Sequence, residues 1–210
     1  GKLKGTSVLL TDYEDSNKNP TYTIWMPALR LMRTFEIGNT TDTWGGTVFS
    51  YSDMFSDGPD KEKHEIIGNR IFGECLRSIQ IKNKKSKALK SITDAPVCEH
   101  QDKQIFLLKS HPLKPNDEYD YRIRYVDSVT FADYRLEFFK AGKLVKVIDK
   151  DWKPADDIKN KPRALQWHHI YGKDINSGIE TYIVVPNDLI TINQSSSSSF
   201  WSAETLKGLK

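Results

Sequence analysis

Polar and apolar positions alternate with a period of two along much of the chain. In Tyr121-Arg122-Ile123-Arg124-Tyr125, apolar and charged residues fall on opposite sides of an extended backbone, as in a sheet with one wet face. Tyr134-Arg135-Leu136-Glu137-Phe138 repeats the pattern. Ala141-Gly142-Lys143 then leads into Leu144-Val145-Lys146-Val147-Ile148, a hairpin in which Gly142 takes a positive-φ position. Strands at 164–171 and 179–185 flank the loop 172–178 as a second, longer hairpin. Further strands are expected at 5–13, 22–26, 31–36, 71–81 and 104–108. Alternation puts Tyr22, Ile24 and Met26 on one face of their strand, and Tyr134, Leu136 and Phe138 on one face of theirs.

Helical signals are few. Residues 50–55 suit one short turn capped by Ser50, and 202–209 another capped by Ser202. Strands joined by hairpins cannot build a parallel sheet, which needs longer crossovers. The expectation is a mainly β fold: one strongly curved antiparallel sheet, a half-open barrel, with a few short helices as a lid. Residues 151–162, which include Pro154 and Pro162, and the serine run 194–199 read as linkers between strands rather than boundaries. Residues 1–210 are therefore taken as a single domain.

Composition narrows the classes. A chain of 210 residues is long enough for one sizeable core. Its hydrophobic share is 38%, below the roughly 45–50% of ordinary domains, which suggests a thin or open core. Basic and acidic residues number 31 and 28, for a net charge of +3, too balanced for a nucleic-acid partner. The run Lys82-Asn83-Lys84-Lys85-Ser86-Lys87 has no interleaved aromatics for base stacking and reads as a solvated loop. Arg30 and Arg33 read as solvated strand charges. Cys75 and Cys98 are too distant for a CxxC motif. They are either a disulfide in an oxidising compartment, with a contribution of about 3 kcal/mol, or two thiols. No run approaches the roughly 18–20 apolar residues of a membrane span. The chain starts at Gly1 rather than methionine, so the natural N-terminus, with any signal sequence, is expected to be missing.

Catalytic chemistry is not evident. His168-His169 is the pair that invites a metal-nuclease reading. Alternation sends its imidazoles to opposite faces, no further histidine follows, and His64, His100 and His111 are scattered upstream. Asp156-Asp157 and Glu14-Asp15 are loop carboxylates without a partner at useful spacing. No nucleophile elbow or P-loop occurs. Neither an enzyme, a metal nor a cofactor is expected.

Several phrases follow one another in a recognisable order: Trp25-Met26-Pro27-Ala28-Leu29-Arg30, Phe49-Ser50-Tyr51-Ser52-Asp53-Met54, Tyr125-Val126-Asp127, Glu137-Phe138-Phe139-Lys140-Ala141-Gly142-Lys143-Leu144 and Glu180-Thr181-Tyr182-Ile183, with Phe200 to Leu206 closing the chain. The ordered set resembles the LolA-like outer-membrane lipoprotein-sorting family. It departs from that family at Tyr125, where Trp is more usual, and at 57–100, a longer and more charged stretch that holds both cysteines. The family's N-terminal helix, which packs inside the sheet, is expected to be missing with the natural N-terminus.

The resemblance implies a non-enzymatic periplasmic carrier, soluble or anchored at the outer membrane. Its apolar concave cavity would sequester acyl chains of a lipoprotein or lipid. An inner-membrane transporter would be the donor and an outer-membrane component the acceptor. Tyr22, Ile24, Met26, Leu29, Phe49, Tyr134, Leu136 and Phe138 are the cavity-lining candidates it implies. Each CH₂ withdrawn from water contributes about 0.8 kcal/mol, so such a cavity needs no special chemistry. The alternative is a carbohydrate- or protein-binding β-sandwich.

Overall fold

The computed structural model describes residues 4–15, 17–37, 43–44, 46–55, 59–79, 90, 95–113, 118–154, 165–185 and 195–209. The basic run 82–87 and the carboxylates Asp156 and Asp157 lie outside the described residues. The short helices α1 (Tyr51–Phe55) and α2 (Ala203–Gly208) accompany a predominance of strand among the described residues. The chain divides into two compact units, Gly1–Thr40 with Asn193–Lys210, and Thr41–Ile192.

In the first unit, β1 (Ser7–Thr11), β2 (Thr21–Met26) and β3 (Leu31–Glu36) form an antiparallel sheet in chain order. Pro27–Leu29 is a single 3-10 turn between β2 and β3, with proline's fixed φ at its start. Arg30 closes the turn in the left-handed region at φ 48° and donates its N–H to Pro27 O at 3.1 Å. The Pro-Ala-Leu-Arg phrase is thus a tight hairpin. Tyr22 is buried with its ring edge-on to Phe35, and Thr23 and Thr34 share a 2.8 Å hydroxyl contact across the ladder. Helix α2 packs on β1 and β2 through buried Leu206. Ser202 caps it as expected, accepting the Thr205 N–H at 3.3 Å.

The second unit is a seven-stranded antiparallel meander: β4 (Glu62–Ile71), β5 (Gln104–Pro112), β6 (Tyr121–Asp127), β7 (Asp133–Lys140), β8 (Lys143–Pro154), β9 (Leu165–Asp174) and β10 (Glu180–Val184). Each strand neighbours the next in sequence, and the sheet is open, with β4 and β10 as edges rather than closed into a barrel. The mainly β, antiparallel expectation holds, with the strands shared between two sheets. β3 and β4 belong to different sheets, and Val48, Phe49 and Met54, between them in sequence, pack on a face of the larger one. The β7–β8 turn is as expected, and Ala141 joins Gly142 at positive φ (48° and 74°) in a two-residue loop.

Two strand expectations need correction. The strand placed at 71–81 lies instead at Glu62–Ile71. That edge strand is largely solvent-exposed and charged, so no apolar alternation marks it. Residues 72–79 are irregular and bury Phe72 and Leu76, with an isolated bridge from Leu76 to Val97. The linker placed from Asp151 begins inside β8, which continues to Pro154.

Cross-strand partners share a face. Arg124, Leu136, Ile148 and Gly172 therefore line one face, and Tyr125, Arg135, Asp149 and Tyr171 the other. Each face has its own apolar cluster. One gathers Leu136, Phe138, Ile148 and Ile170 beneath Val48, Phe49, Met54 and Tyr119. The other gathers Ile105, Tyr125, Ala132 and Tyr134 beneath Phe72, Leu76 and Val97. Tyr134 thus does not share the cluster of Leu136 and Phe138, contrary to simple alternation. The cause is the register shift at Tyr125/Val126, where one residue of β7 is left over.

Cys75 and Cys98 form a disulfide, which resolves the two readings of these cysteines. It clamps the segments that cover the second face. Arg135 reinforces them with a fork on Asp149 (2.6 and 2.9 Å) and further bonds to Glu74 and the Cys75 carbonyl.

The Tyr-Val-Asp phrase has a structural role. Asp127 is buried and accepts the N–H groups of Val129 and Thr130 and the Tyr134 hydroxyl, at 2.8, 2.7 and 2.7 Å. Burial alone would raise its carboxyl, but these bonds outweigh it and hold the group below the usual range. Asp127→Asn is expected to cost about 1–3 kcal/mol in urea unfolding at neutral pH. Because the folded value is depressed, the carboxylate's contribution is present above about pH 4 and is lost as pH falls below it. The gap between wild type and variant should therefore close in acid.

Candidate functional site

The apolar cluster on the first face is the candidate site. β7, β8 and β9 supply Leu136, Phe138, Ile148 and Ile170, all essentially inaccessible to water. Residues 43–44 and 46–54 form the cover. Thr43 and Ser50 bridge, the Trp44 N–H donates to Phe49 O at 2.9 Å, and Phe49 and Met54 point their side chains into the cluster. Val48 and Phe49 lie directly over Gly172, where an added Cβ would sit 2.4 Å from Val48 Cγ2 and 2.7 Å from Phe49 Cε1.

Two polar latches hold this cover. The Val48 N–H donates to Thr181 Oγ1 at 3.1 Å. Lys146 Nζ donates to Asp53 Oδ2 at 2.9 Å, and the same oxygen accepts the Ser50 N–H at 2.8 Å. This explains the Phe-Ser-Tyr-Ser-Asp-Met phrase: Phe49 and Met54 fill the cluster while Asp53 fastens the turn.

Cations border the apolar stripe on the same face. Arg122, almost fully buried, and Arg124 both donate to Glu62 Oε2, at 2.7 and 3.0 Å. Burial pushes the Arg124 guanidinium down, the Arg122 charge adds to this, and Glu62 opposes both. Lys146 lies 4.6 Å from the centre of the Phe138 ring. Sequence reasoning missed this cationic border. The charged positions of β6 looked like a wet face, yet Arg122 and Arg124 pair with Phe138 and Leu136 across the ladder.

The sequence-derived candidates divide between the units. Phe49, Leu136 and Phe138 come together in the cluster just described. Tyr134 belongs to the opposite cluster. Tyr22, Ile24 and Met26 are in β2 of the first unit, and Leu29 is 67% exposed at the tip of its turn. Arg30 and Arg33 are exposed, as expected.

The histidine pair behaves differently from its alternation. His168 Nδ1 and His169 Nδ1 both approach Asp151 Oδ2, at 3.1 and 3.4 Å. His100 Nε2 meets Oδ1 at 2.7 Å. The register shift at Asp151/Trp152 accompanies this convergence. Burial alone would raise the Asp151 carboxyl, but His100, His169 and Lys153 outweigh it and hold it well below the usual carboxylate range. Among the described residues, Asp151, His168 and His169 form the one group spaced to share a cation.

A domain from Vibrio parahaemolyticus, provisionally named for outer membrane lipoprotein sorting, superposes on this architecture with a TM-score of 0.69. The match covers 97% of this chain and 72% of that one, at 16% identity. The chain shares that domain's fold. A DUF1329 family protein from Desulfovibrio piger is similar at TM-score 0.67, over 98% of this chain and 72% of its own, at 14% identity. No protein-family profile and no curated protein matches the chain. The fold implied by the ordered phrases is the fold observed.

Gly172→Ala tests the close approach of the cover. The added methyl meets Val48 and Phe49 inside van der Waals distance, and overpacking of this kind costs about 1–3 kcal/mol. Urea unfolding should show that loss, with a change in the near-ultraviolet aromatic signal. A variant as stable as wild type would mean that the cover sits elsewhere in solution.

Proposed function

We propose that this chain is a non-enzymatic carrier that takes up acyl chains of a lipid or lipoprotein on the first face of its seven-stranded sheet. The observation that carries the reading is an asymmetry between the two covers. The second face lies under segments joined by the Cys75–Cys98 disulfide. The first lies under residues 43–44 and 46–54, whose contacts with the sheet include apolar packing and the Thr181 and Lys146 latches. No disulfide braces this cover, so it can lift on the loss of these contacts alone. Lifting it would bare Leu136, Phe138, Ile148 and Ile170, an apolar stripe bordered by Arg122, Arg124 and Lys146. Such a surface suits an acyl chain with an anionic or carbonyl-rich head.

The likeness to a lipoprotein-sorting domain supports this reading, and by the same analogy the donor is an inner-membrane transporter and the acceptor an outer-membrane component. The disulfide supports an oxidising compartment such as the periplasm. Among the described residues, no helix is long and apolar enough to cross a membrane.

Uptake of cis-parinaric acid, a fluorescent fatty acid, tests the carrier. Wild type is expected to bind it saturably. Thr181→Val removes the acceptor of the Val48 N–H, which destabilises the closed cover by about 1–3 kcal/mol. The open state becomes more populated, and apparent affinity should rise about tenfold for each 1.4 kcal/mol. Failure of both proteins to take up the probe would overturn the carrier. Equal affinity in both would overturn the lifting cover.

A further inference from the structure

Asp151 has no accessible surface, yet three imidazoles from two separated segments converge on it. We propose that Asp151, His168 and His169 form a binding site for a transition-metal cation of the Zn²⁺ class, with His100 orienting the carboxylate. This proposal is independent of the carrier reading.

The argument is geometric. Zinc bonds to nitrogen and oxygen are about 2.0–2.2 Å, so the ligand atoms of a tetrahedral site stand about 3.3–3.5 Å apart. The two Nδ1 atoms lie 3.1 and 3.4 Å from Asp151 Oδ2, so the oxygen–nitrogen edges of such a site are nearly in place. All three ligand atoms fall within 4.8 Å of one another. The donor set, two imidazoles and a carboxylate, suits zinc and its neighbours rather than calcium or magnesium, which prefer oxygen. His169 Nε2 is buried without a partner, so this ring's polar contact with the protein runs through Nδ1. His168 is 28% exposed and provides the way in.

The surroundings complete the arrangement. His100 donates to Oδ1, the carboxylate oxygen left over, while its ring stacks on Tyr134 at 4.4 Å. This is the outer hydrogen bond that commonly fixes a ligating carboxylate. The disulfide helps to deliver it, since Cys98 lies two residues before His100. With both sulfurs bridged, neither cysteine competes as a ligand. Lys153 Nζ lies 3.7 Å from Oδ2 and occupies part of the space a cation needs. It also pairs with exposed Glu99, so it can swing outward as a metal enters.

The test uses chelator-treated, untagged chain with its disulfide intact, titrated with zinc chloride at neutral pH by calorimetry, with bound metal counted by mass spectrometry. One Zn²⁺ per chain is expected. His168→Ala and His169→Ala should abolish uptake, and His100→Ala should weaken it about 10- to 100-fold. Lys153→Met, which removes the competing ammonium, should tighten it. His64→Ala and His111→Ala should leave it unchanged. Cobalt should give tetrahedral visible bands in wild type, a readout that needs no variant to fold. Absence of stoichiometric zinc would overturn the proposal and leave a hydrogen-bonded carboxylate–histidine cluster. Equal uptake by a folded His168→Ala or His169→Ala protein would overturn it as well.

Discussion

Strand β8 is buried on both faces from 146 to 151, and four of those six residues, Lys146, Asp149, Lys150 and Asp151, are charged. Charge in that position is tolerable only with a partner, because an unpaired buried ion costs several kcal/mol. Each of the four finds one, two of them in β7 and the others in α1, in loops and in β9. Lys146 takes Asp53 and Glu118, Asp149 takes Arg135, Lys150 takes Asp133, and Asp151 takes the histidines. The apolar residues between them, Val147 and Ile148, are sealed on opposite faces. Strand β8 thus helps to fasten both covers, with Lys146 holding Asp53 on one face and Asp149 accepting the Arg77 N–H on the other. Apolar burial supplies the driving force, and the charges supply the address.

The same constraint explains what could be read in advance. Hairpins follow local rules, so the Ala141-Gly142 turn and the Ser202 cap were legible from a few residues. So were the ordered phrases, because each acts locally. Pro27 to Arg30 turn a hairpin, and Asp127 closes the β6–β7 turn. Edge strand β4 was not legible, since a strand stabilised by its ladder to β5 need not alternate. The charges of β6 and β8 suggested solvent because alternation reports polarity, and polarity matches exposure only when the partner is water. Arg122 has Glu62 instead.

Register shifts account for the remaining errors about the site. A period-two argument survives until one extra residue enters a strand, after which every inference about faces inverts. The shift at Tyr125/Val126 moved Tyr134 away from Leu136 and Phe138, and that at Asp151/Trp152 accompanies the gathering of His168 and His169 on one carboxylate. Both shifts are properties of paired strands, so neither is visible in one strand's own sequence.

The two faces of the sheet have different mechanical characters, and this follows from how each cover is attached. The disulfide joins two segments of the second cover to each other, and Arg135 and Asp149 bond that cover to the sheet through Glu74, the Cys75 carbonyl and the Arg77 N–H. The Arg135–Asp149 pair beneath it is buried within the sheet, and removing one member of such a pair costs about 3–5 kcal/mol. The first cover carries no disulfide, and among its latches are one on Thr181 in β10, at the edge of the sheet, and one on Lys146, beside partly exposed Glu118. Local opening in proteins concentrates where buried contacts are few and attachments reach solvent. The proposed carrier reading depends on this difference, because it asks the sheet to bare one apolar face while keeping its own strand order.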